Sequence, residues 1–210
     1  ELGRVRRFAP EVGVLLNLAP DHLDRYPDTA SYYADKGRLF LNAGPDSTWV
    51  LNGDDPAVAA LIGDAPGRRL WFRTASEPAA DESGGWLAPD GTLMLRVRGE
   101  DEALVRENEL RLLGGHNRAN ALAAAVAAYA VTGDVVALRA GLRSFPPLRH
   151  RLEPLGEAKG VVWINDSKAT NVASASVAIE AMDRPTILLL GGQAKGQSFG
   201  SLADDGVRRI

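Results

Sequence analysis

The sequence predicts an α/β protein with a mainly parallel sheet, flanking helices and a small antiparallel hairpin appendage. Apolar runs of strand length alternate along the chain with segments of helical character, as in βαβ units. A hairpin signal, Pro89-Asp90-Gly91-Thr92, interrupts this alternation once. The Pro146-Pro147 pair then breaks the pattern. We therefore predict a first domain over residues 1–148 and a second over 149–210.

The first part of the chain is expected to contain three strands and two helices. The run 12–18 is continuously apolar, which predicts a strand buried on both faces. A helix over 28–42 follows, with Asp28 or Thr29 as its cap. The remaining elements are a strand over 48–51, a helix over 56–61 opened by Pro56, and a strand over 69–72.

The rest of the chain repeats this alternation. Residues 73–85 are polar and glycine-rich and are predicted to form a loop, and 86–88 and 93–97 flank the hairpin turn. Gly133 separates two helices, 118–131 and 134–145. Beyond Arg151 we expect a strand-turn-strand unit, a helix over 172–182, a buried strand over 188–190 and a helix over 201–210.

Composition is that of an ordinary globular protein. Hydrophobic residues make up 45% and charged residues 24% of the 210 residues. The formal net charge of -3 gives no basic footprint for nucleic acid. No apolar run has the length of a membrane span, and the absence of cysteine excludes disulfides and zinc-thiolate sites. We expect a cytoplasmic monomer without nucleic-acid or membrane partners.

The two ends suggest an internal piece of a longer protein. The chain starts at Glu1 without an initiator Met and stops at Ile210 inside a predicted helix. On that interpretation, the segment alone is expected to be catalytically inactive.

The string Asn165-Asp166-Ser167-Lys168-Ala169-Thr170-Asn171 is the most informative cluster. It lies where the apolar run 160–164 gives way to the helix 172–182. Ligands bind at this position in α/β folds, where strand ends and helix N-termini converge. Individual Asp or Ser residues here could instead be helix caps. A carboxylate and a lysine with several small polar groups predict a substrate site.

Three further clusters carry possible chemistry. Asp21-His22-Leu23-Asp24-Arg25 follows the first strand and could hold a divalent cation, or could simply cap the loop. Asn117 and Asn120, behind Gly114-Gly115, could read a purine edge, with ordinary N-capping by Asn117 as the alternative. Arg151 at the domain boundary could grip a phosphate or form a surface ion pair.

Two further sequence features concern phosphate binding. Gly191-Gly192-Gln193-Ala194-Lys195 is a glycine turn with a lysine, which is weak evidence by itself. The chain has no Gly-Lys pair and therefore no Walker-type phosphate loop, and no dinucleotide fingerprint is present.

Taken in order and spacing, these clusters resemble the Mur ligases, and the resemblance spans nearly the whole chain. The string 165–171 is similar to that of the D-glutamate-adding member. The resemblance implies the family's central ATP-binding domain, followed by the start of a Rossmann-like C-terminal domain. It also implies an ATP-dependent, amide-bond-forming ligase of peptidoglycan synthesis whose substrates are UDP-N-acetylmuramoyl-L-alanine and D-glutamate.

The resemblance also implies roles for individual residues. His22 and Lys36 would bind Mg²⁺, with Lys36 carrying a CO2-derived carbamate. Asn117 and Asn120 would contact adenine, and Arg151 and Asp166 the phosphate and ribose of ATP. The D-glutamate carboxylates and the reacting phosphate would be surrounded by Lys168, Thr170 and Lys195. By the same match, His22, Lys36 and Lys168 are the expected catalytic residues.

Other functions stay open at this point. The chain could belong to another Mur ligase or to a folylpolyglutamate synthase-like protein, and residues 167–170 would discriminate between these. A catalytically silent nucleotide-binding relative is the alternative from another class. Lys36 and His22 argue against it, because a silent relative has no physical need for them.

Overall fold

The computed structural model describes residues 4, 6–20, 25–191 and 199–203. Its strands are β1 Val12–Leu15, β2 Thr48–Asn52, β3 Arg68–Arg73, β4 Gly84–Leu87, β5 Thr92–Val97, β6 Glu100–Arg106, β7 Glu153–Ala158 and β8 Val161–Asn165. Its α-helices are α1 Thr29–Gly37, α2 Pro56–Ile62, α3 Gly115–Thr132, α4 Val135–Ser144 and α5 Val172–Glu180. Short 3-10 helices are Arg38–Phe40, Glu107–Glu109 and Phe199–Ala203. Among the residues so described, no helix is long and apolar enough to cross a membrane.

The predicted α/β class with a mainly parallel sheet is confirmed. Six strands form one sheet in the order β1 to β6, and β1 to β4 are mutually parallel. The predicted hairpin is β4 and β5, which pair antiparallel. Because β4 also pairs with β3, the hairpin continues the main sheet, and the expected loop over 73–85 ends where β4 begins at Gly84.

Strand β6 was not anticipated from the sequence. It pairs antiparallel with β5 through the two-residue turn Arg98-Gly99, in which both residues have positive φ. Positive φ at both positions is the conformation that matches the right-handed twist of a hairpin. The first residues of β6 are acidic and exposed, which suits the last strand of a sheet because charge discourages further pairing.

The core is built on both faces of the first strands. On one face, Trp49 and Leu51 of β2 pack with Phe40 and with Val58 and Ile62 of α2. The indole Nε1–H of Trp49 donates to Pro66 O at 2.7 Å, so this fully buried ring has a satisfied polar group. On the other face, α3 packs closely enough that a side chain at Gly85 would contact Leu122 and Val126.

The prediction that the first strand is buried on both faces is wrong. Leu15 is buried, whereas Val14 is 39% exposed. Strand β1 is the outer strand of the described sheet, and the hydrophobic cluster that covers it includes Leu15 but not Val14. The strand is also shorter than predicted and ends at Leu15.

The predicted buried strand over 188–190 is also wrong. These residues adopt no regular structure, and Leu189 is 82% exposed. A strand requires backbone partners, and none of the described strands pairs with this run. The predicted helix over 201–210 begins within the 3-10 helix Phe199–Ala203, and residues 204–210 lie outside the described part.

The other helices follow their sequence signals. Asp28 caps α1, since its Oδ1 accepts from Ser31 N at 2.7 Å, but α1 gives way to a 3-10 helix after Gly37. Asp55 caps α2 ahead of Pro56. Gly133, with positive φ, separates α3 from α4 as predicted.

The chain forms two compact units. The first comprises Glu1–Glu109 and Arg118–Arg143, and the second comprises Leu110–Asn117 and Ser144–Ile210. The second unit contains the β7–β8 hairpin and α5. The predicted domain boundary after residue 148 stays a prediction.

Candidate functional site

Lys36 lies in the last turn of α1, in the first unit. Its Nζ sits 4.9 Å from the centroid of the Tyr32 ring, one helical turn earlier. Residues four apart on a helix face one another, so this contact follows from the spacing. A cation over an aromatic face is attracted by the ring's quadrupole. Tyr32 therefore holds the ammonium group of Lys36 in its unmodified form.

A second contact ties α1 to the segment that precedes it. The hydroxyl of Tyr26 donates to Asp35 Oδ2 at 2.9 Å, and its ring lies 5.2 Å from that of Tyr32. This hydrogen bond to a carboxylate raises the pKa of Tyr26, because the phenolate would lose it. Sequence reasoning placed Tyr26 in the motif that begins at Asp21 and Tyr32 on the apolar side of the helix, but it gave no functional role to either of them or to Asp35. The four-residue spacing of Tyr32 and Lys36 was the sequence signal that could have identified Tyr32.

The segment after β1 is held by two side chains from the turn after β2. Asn52 Nδ2 donates to Leu16 O at 2.8 Å. Asp55 accepts from Leu18 N at 2.8 Å with one oxygen while the other caps α2. These bonds fix the chain at the carboxyl edge of the parallel strands. The candidate ligand His22, with the rest of Asp21-His22-Leu23-Asp24, lies outside the described residues.

The first turn of α3 carries Asn117, and the N-capping alternative for this residue is wrong. The helix begins at Gly115, so Asn117 lies inside it. Its backbone N–H bonds to Gly114 O at 3.1 Å, and its Nδ2 donates to Leu113 O at 2.7 Å. Asn120 is exposed one turn further along the same helix.

Arg151 sits at the tip of an unusual turn in the second unit. Its neighbours His150 and Leu152 both have left-handed backbone conformations, with φ of 65° and 43°. Residues with side chains adopt these angles uncommonly, and surrounding contacts offset the cost. The Arg151 side chain is exposed, while Leu152 is buried and anchors the turn.

Asp166 provides one of the enforcing contacts. Its Oδ1 accepts from Leu152 N at 3.0 Å, and Lys168 N donates to His150 O at 3.1 Å. The 165–171 segment and the Arg151 turn are thereby joined. Asp166 is half-buried, and the described residues donate no hydrogen bond to its Oδ2.

The predicted strand-to-helix location of 165–171 is confirmed, although β8 pairs antiparallel with β7. The argument from the ends of parallel strands therefore does not apply to this segment. Asn171 is the cap of α5, accepting from Ser174 N at 2.7 Å. Lys168 and Thr170 are exposed ahead of it, and Lys195 lies outside the described residues.

His116 adds a titratable group to the second unit. Burial lowers its pKa; the Asp166 carboxylate opposes this shift and the Arg151 guanidinium adds to it. The Nδ1 atom of His116 is buried and has no hydrogen-bond partner in the part of the chain that the structure describes. His116 lies between Gly115 and Asn117 in the motif Gly114-Gly115-His116-Asn117, in which sequence reasoning assigned a role only to the asparagine.

The described residues do not make a metal site by themselves. Within them, no group of three or more His, Asp or Glu residues could hold a metal ion. Lys36 as an ammonium group is a cation and cannot serve as a ligand. Of the two predicted metal ligands, only Lys36 is described.

Comparisons with known proteins agree on one family. A family model described as the Mur ligase middle domain matches residues 1–128. A "UDP-N-acetylmuramoylalanine--D-glutamate ligase" of Pelotomaculum thermopropionicum is 40% identical over 203 residues, which cover 97% of this chain and 44% of that protein. A relative with the same name from Methylococcus capsulatus is 41% identical over 96% of this chain and 42% of its own length. The chain thus spans less than half the length of these relatives.

Solved structures show the same fold at lower identity. The crystal structure of MurF from Acinetobacter baumannii has a TM-score of 0.64 and is 20% identical, covering 82% of this chain and 37% of that one. A pseudomurein peptide ligase type C from Methanothermus fervidus has a TM-score of 0.63 at 21% identity, covering 82% of this chain and 41% of that one.

Proposed function

Because the chain belongs to the Mur ligase family, we propose that the full-length protein is an ATP-dependent ligase that adds D-glutamate to UDP-N-acetylmuramoyl-L-alanine. The observation that carries this proposal is the similarity, over nearly the whole chain, to relatives named for that reaction. The string 165–171, which first suggested the D-glutamate subtype, supports it. We further propose that the protein acts as a cytoplasmic monomer without nucleic-acid or membrane partners.

The proposed reaction places like charges next to one another. ATP would phosphorylate the substrate carboxylate, and the amine of D-glutamate would displace phosphate from the acyl phosphate. Cationic and hydrogen-bonding groups must hold these anions together and stabilise the charge that develops. The side chains of Arg151 and Lys168 are exposed and suit that task. Their two segments are joined by hydrogen bonds from Leu152 N to Asp166 Oδ1 and from Lys168 N to His150 O.

Within this proposal each residue predicted to bind ATP or D-glutamate has a role. Asn117 and Asn120 contact adenine, and Arg151 and Asp166 contact the phosphate and ribose of ATP. Lys168 and Thr170, with Lys195, hold D-glutamate and the reacting phosphate. Among the described residues none donates to Oδ2 of Asp166, so this oxygen suits a ribose hydroxyl donor while Oδ1 accepts from Leu152 N.

Mg²⁺ is the proposed metal cofactor, with His22 and a carbamylated Lys36 as ligands. A carbamate would replace the cation of Lys36 by oxygen ligands, which Mg²⁺ prefers. The contact with Tyr32 belongs to the unmodified lysine and would be given up on modification.

The experiment uses the full-length protein. ADP release is followed with UDP-N-acetylmuramoyl-L-alanine while the added amino acid is varied. We expect release that depends on D-glutamate and is lost in Lys168→Ala. Lys159→Asn is the matched control, since Lys159 is an exposed lysine at a left-handed turn position that asparagine tolerates.

Each other outcome has a definite meaning. Release that depends on a different amino acid would keep the superfamily and overturn the D-glutamate assignment. No amino-acid-dependent release would favour a catalytically silent relative. Equal losses in Lys168→Ala and Lys159→Asn would remove Lys168 from the site.

A further inference from the structure

The imidazole of His150 lies between a donor and an acceptor. Its Nδ1 is 2.8 Å from Asn165 Nδ2 and 3.6 Å from Glu153 Oε2. The ring is 42% exposed, so water and protons reach it. Which neighbour Nδ1 bonds depends on whether it carries a hydrogen.

The orientation of Asn165 decides this question. Ser167 N donates to Asn165 Oδ1 at 3.0 Å, which fixes the carbonyl end of the amide. The amide's NH2 group is therefore the end that faces His150. Since NH2 is only a donor, His150 Nδ1 accepts, and the ring's hydrogen is on Nε2.

The same histidine belongs to the strained turn that presents Arg151. His150 N donates to Glu153 Oε2 at 2.7 Å, and its carbonyl accepts from Lys168 N at 3.1 Å. One residue further, Leu152 N donates to Asp166 Oδ1. The bond from Asn165 to the ring adds a side-chain link between the end of β8 and the turn before β7.

We propose that His150 is a positioning residue, whose neutral ring joins Asn165 to the Arg151 turn and keeps Arg151 and Asp166 arranged for an anionic ligand. On protonation, Nδ1 takes a proton from solvent and becomes a donor facing another donor. The Asn165–His150 hydrogen bond breaks, and Nδ1–H turns to Glu153 Oε2. Because Nδ1 and Oε2 lie 3.6 Å apart, beyond hydrogen-bond distance, the ring must move toward Glu153 to form this bond, and the turn that carries the ring shifts with it.

The charged groups around the ring bear on this exchange. Among the described residues, the carboxylate of Glu153 from β7 faces Nδ1 at 3.6 Å. The other charged residues of these two segments are Arg149, Arg151, Asp166 and Lys168. His116 is the other described histidine of the unit. Histidine is the side chain whose charge ordinarily changes between pH 5 and 8, which sets the range of pH to be compared.

The inference rests on the proposed function only for the identity of the ligand, which we take as ATP. The full-length protein should bind ATP less tightly at pH 5.5 than at pH 8. One lost hydrogen bond corresponds to a factor of about ten in the dissociation constant. Protonation of ATP itself and of the other histidines contributes to this change in every variant, so the comparison is made between variants.

Two substitutions separate the Nδ1 interaction from general damage. In Asn165→Asp, one carboxylate oxygen still accepts from Ser167 N, while the other accepts from a protonated Nδ1. In His150→Asn, an amide oxygen stands near the position of Nδ1 and accepts at every pH, and asparagine tolerates the left-handed backbone. Both should show a smaller acid-to-neutral ratio of dissociation constants than wild type, by about the same factor of ten.

Nitrogen NMR of the histidine rings gives a readout independent of activity. At pH 8 the His150 ring should carry its hydrogen on Nε2 in the wild type and on Nδ1 in Asn165→Asp. A hydrogen on Nδ1 in the wild type would overturn the inference, as would identical acid-to-neutral ratios in all three proteins.

The ligase assay distinguishes the two claims. If the expected tautomers and the expected acid-to-neutral ratios of dissociation constants are found, but ADP release does not depend on D-glutamate, this inference stands and the proposed reaction is rejected. The reverse pattern would reject only the role of His150.

Discussion

Asp166 is expected to have a structural function and a ligand-binding function, which substitutions can separate. Its Oδ1 accepts from the backbone N–H of buried Leu152, and its charge is proposed to serve the nucleotide. Asp166→Asn keeps an oxygen acceptor in place but removes the charge. Asp166→Ala removes both and leaves the Leu152 N–H without its partner.

The expected costs follow from the hydrogen bond. A buried donor left unsatisfied costs about 1–3 kcal/mol, so Asp166→Ala should lower the free energy of unfolding of the second unit by that amount. A hydrogen bond to a neutral acceptor is weaker than one to a charged acceptor by about 1 kcal/mol, which is the expected loss in Asp166→Asn. The ATP dissociation constant should rise in both variants, because neither has the carboxylate.

Hydrogen exchange at the Leu152 amide is the most direct assay, with urea unfolding followed by NMR signals of the second unit. The Leu152 amide should exchange fastest in Asp166→Ala, with Asp166→Asn between it and wild type. Equal exchange in the two variants would refute the structural part of this reasoning. Unchanged ATP binding in Asp166→Asn would refute the ligand part.

Three further predictions concern folding. Trp49→Ala should lower the free energy of unfolding by about 3–5 kcal/mol, because removing the fully buried ring leaves a cavity. Trp163→Ala should cost far less, since that side chain is 54% exposed. Equal losses in denaturant titrations would contradict the assigned core. Gly84→Ala should destabilise the protein by about 1–3 kcal/mol, because the new Cβ would lie 1.8 Å from a β3 carbonyl oxygen. A Cβ at Gly99 meets no atom within 4 Å, so Gly99→Ala should cost only its backbone strain, and thermal unfolding measures the difference. Because the pKa of His116 is lowered in the folded protein, the unfolded state binds the proton more readily, so this contribution to stability is complete above histidine's ordinary pKa and is lost as pH falls through that value toward the lowered one. His116→Gln should flatten that decline in urea titrations at pH 7.5 and 5.5, and an unchanged decline would exclude His116.

Local signals predicted much of the fold. The Asp28 cap, Pro56 at the start of α2 and Gly133 between two helices are residues whose conformational preferences act locally, and each has the predicted role. Strand β6 was missed because its charged sequence hides the alternation of a strand, although Arg98-Gly99 is a two-residue turn of the kind that hairpins favour.

Where burial or pairing decided the outcome, sequence patterns misled. The apolar run 188–190 was predicted as a buried strand, but apolar character does not supply a neighbouring strand. Val14 was placed in a two-sided core for the same reason. Among the site residues, the order of the motifs indicated Asp166 and Arg151. The Asn165–His150 bond, in contrast, depends on a turn with left-handed residues, which no sequence pattern predicts.

The most direct test of the central claim is to follow oxygen transfer in the full-length protein. UDP-N-acetylmuramoyl-L-alanine labelled with ¹⁸O in its carboxylate is incubated with ATP and either D- or L-glutamate, and product and phosphate are analysed by mass spectrometry. An ATP-dependent D-glutamate ligase acting through an acyl phosphate predicts the D-glutamyl amide together with one ¹⁸O atom in the released phosphate. Product formed with L-glutamate, or phosphate released without ¹⁸O, would contradict the account.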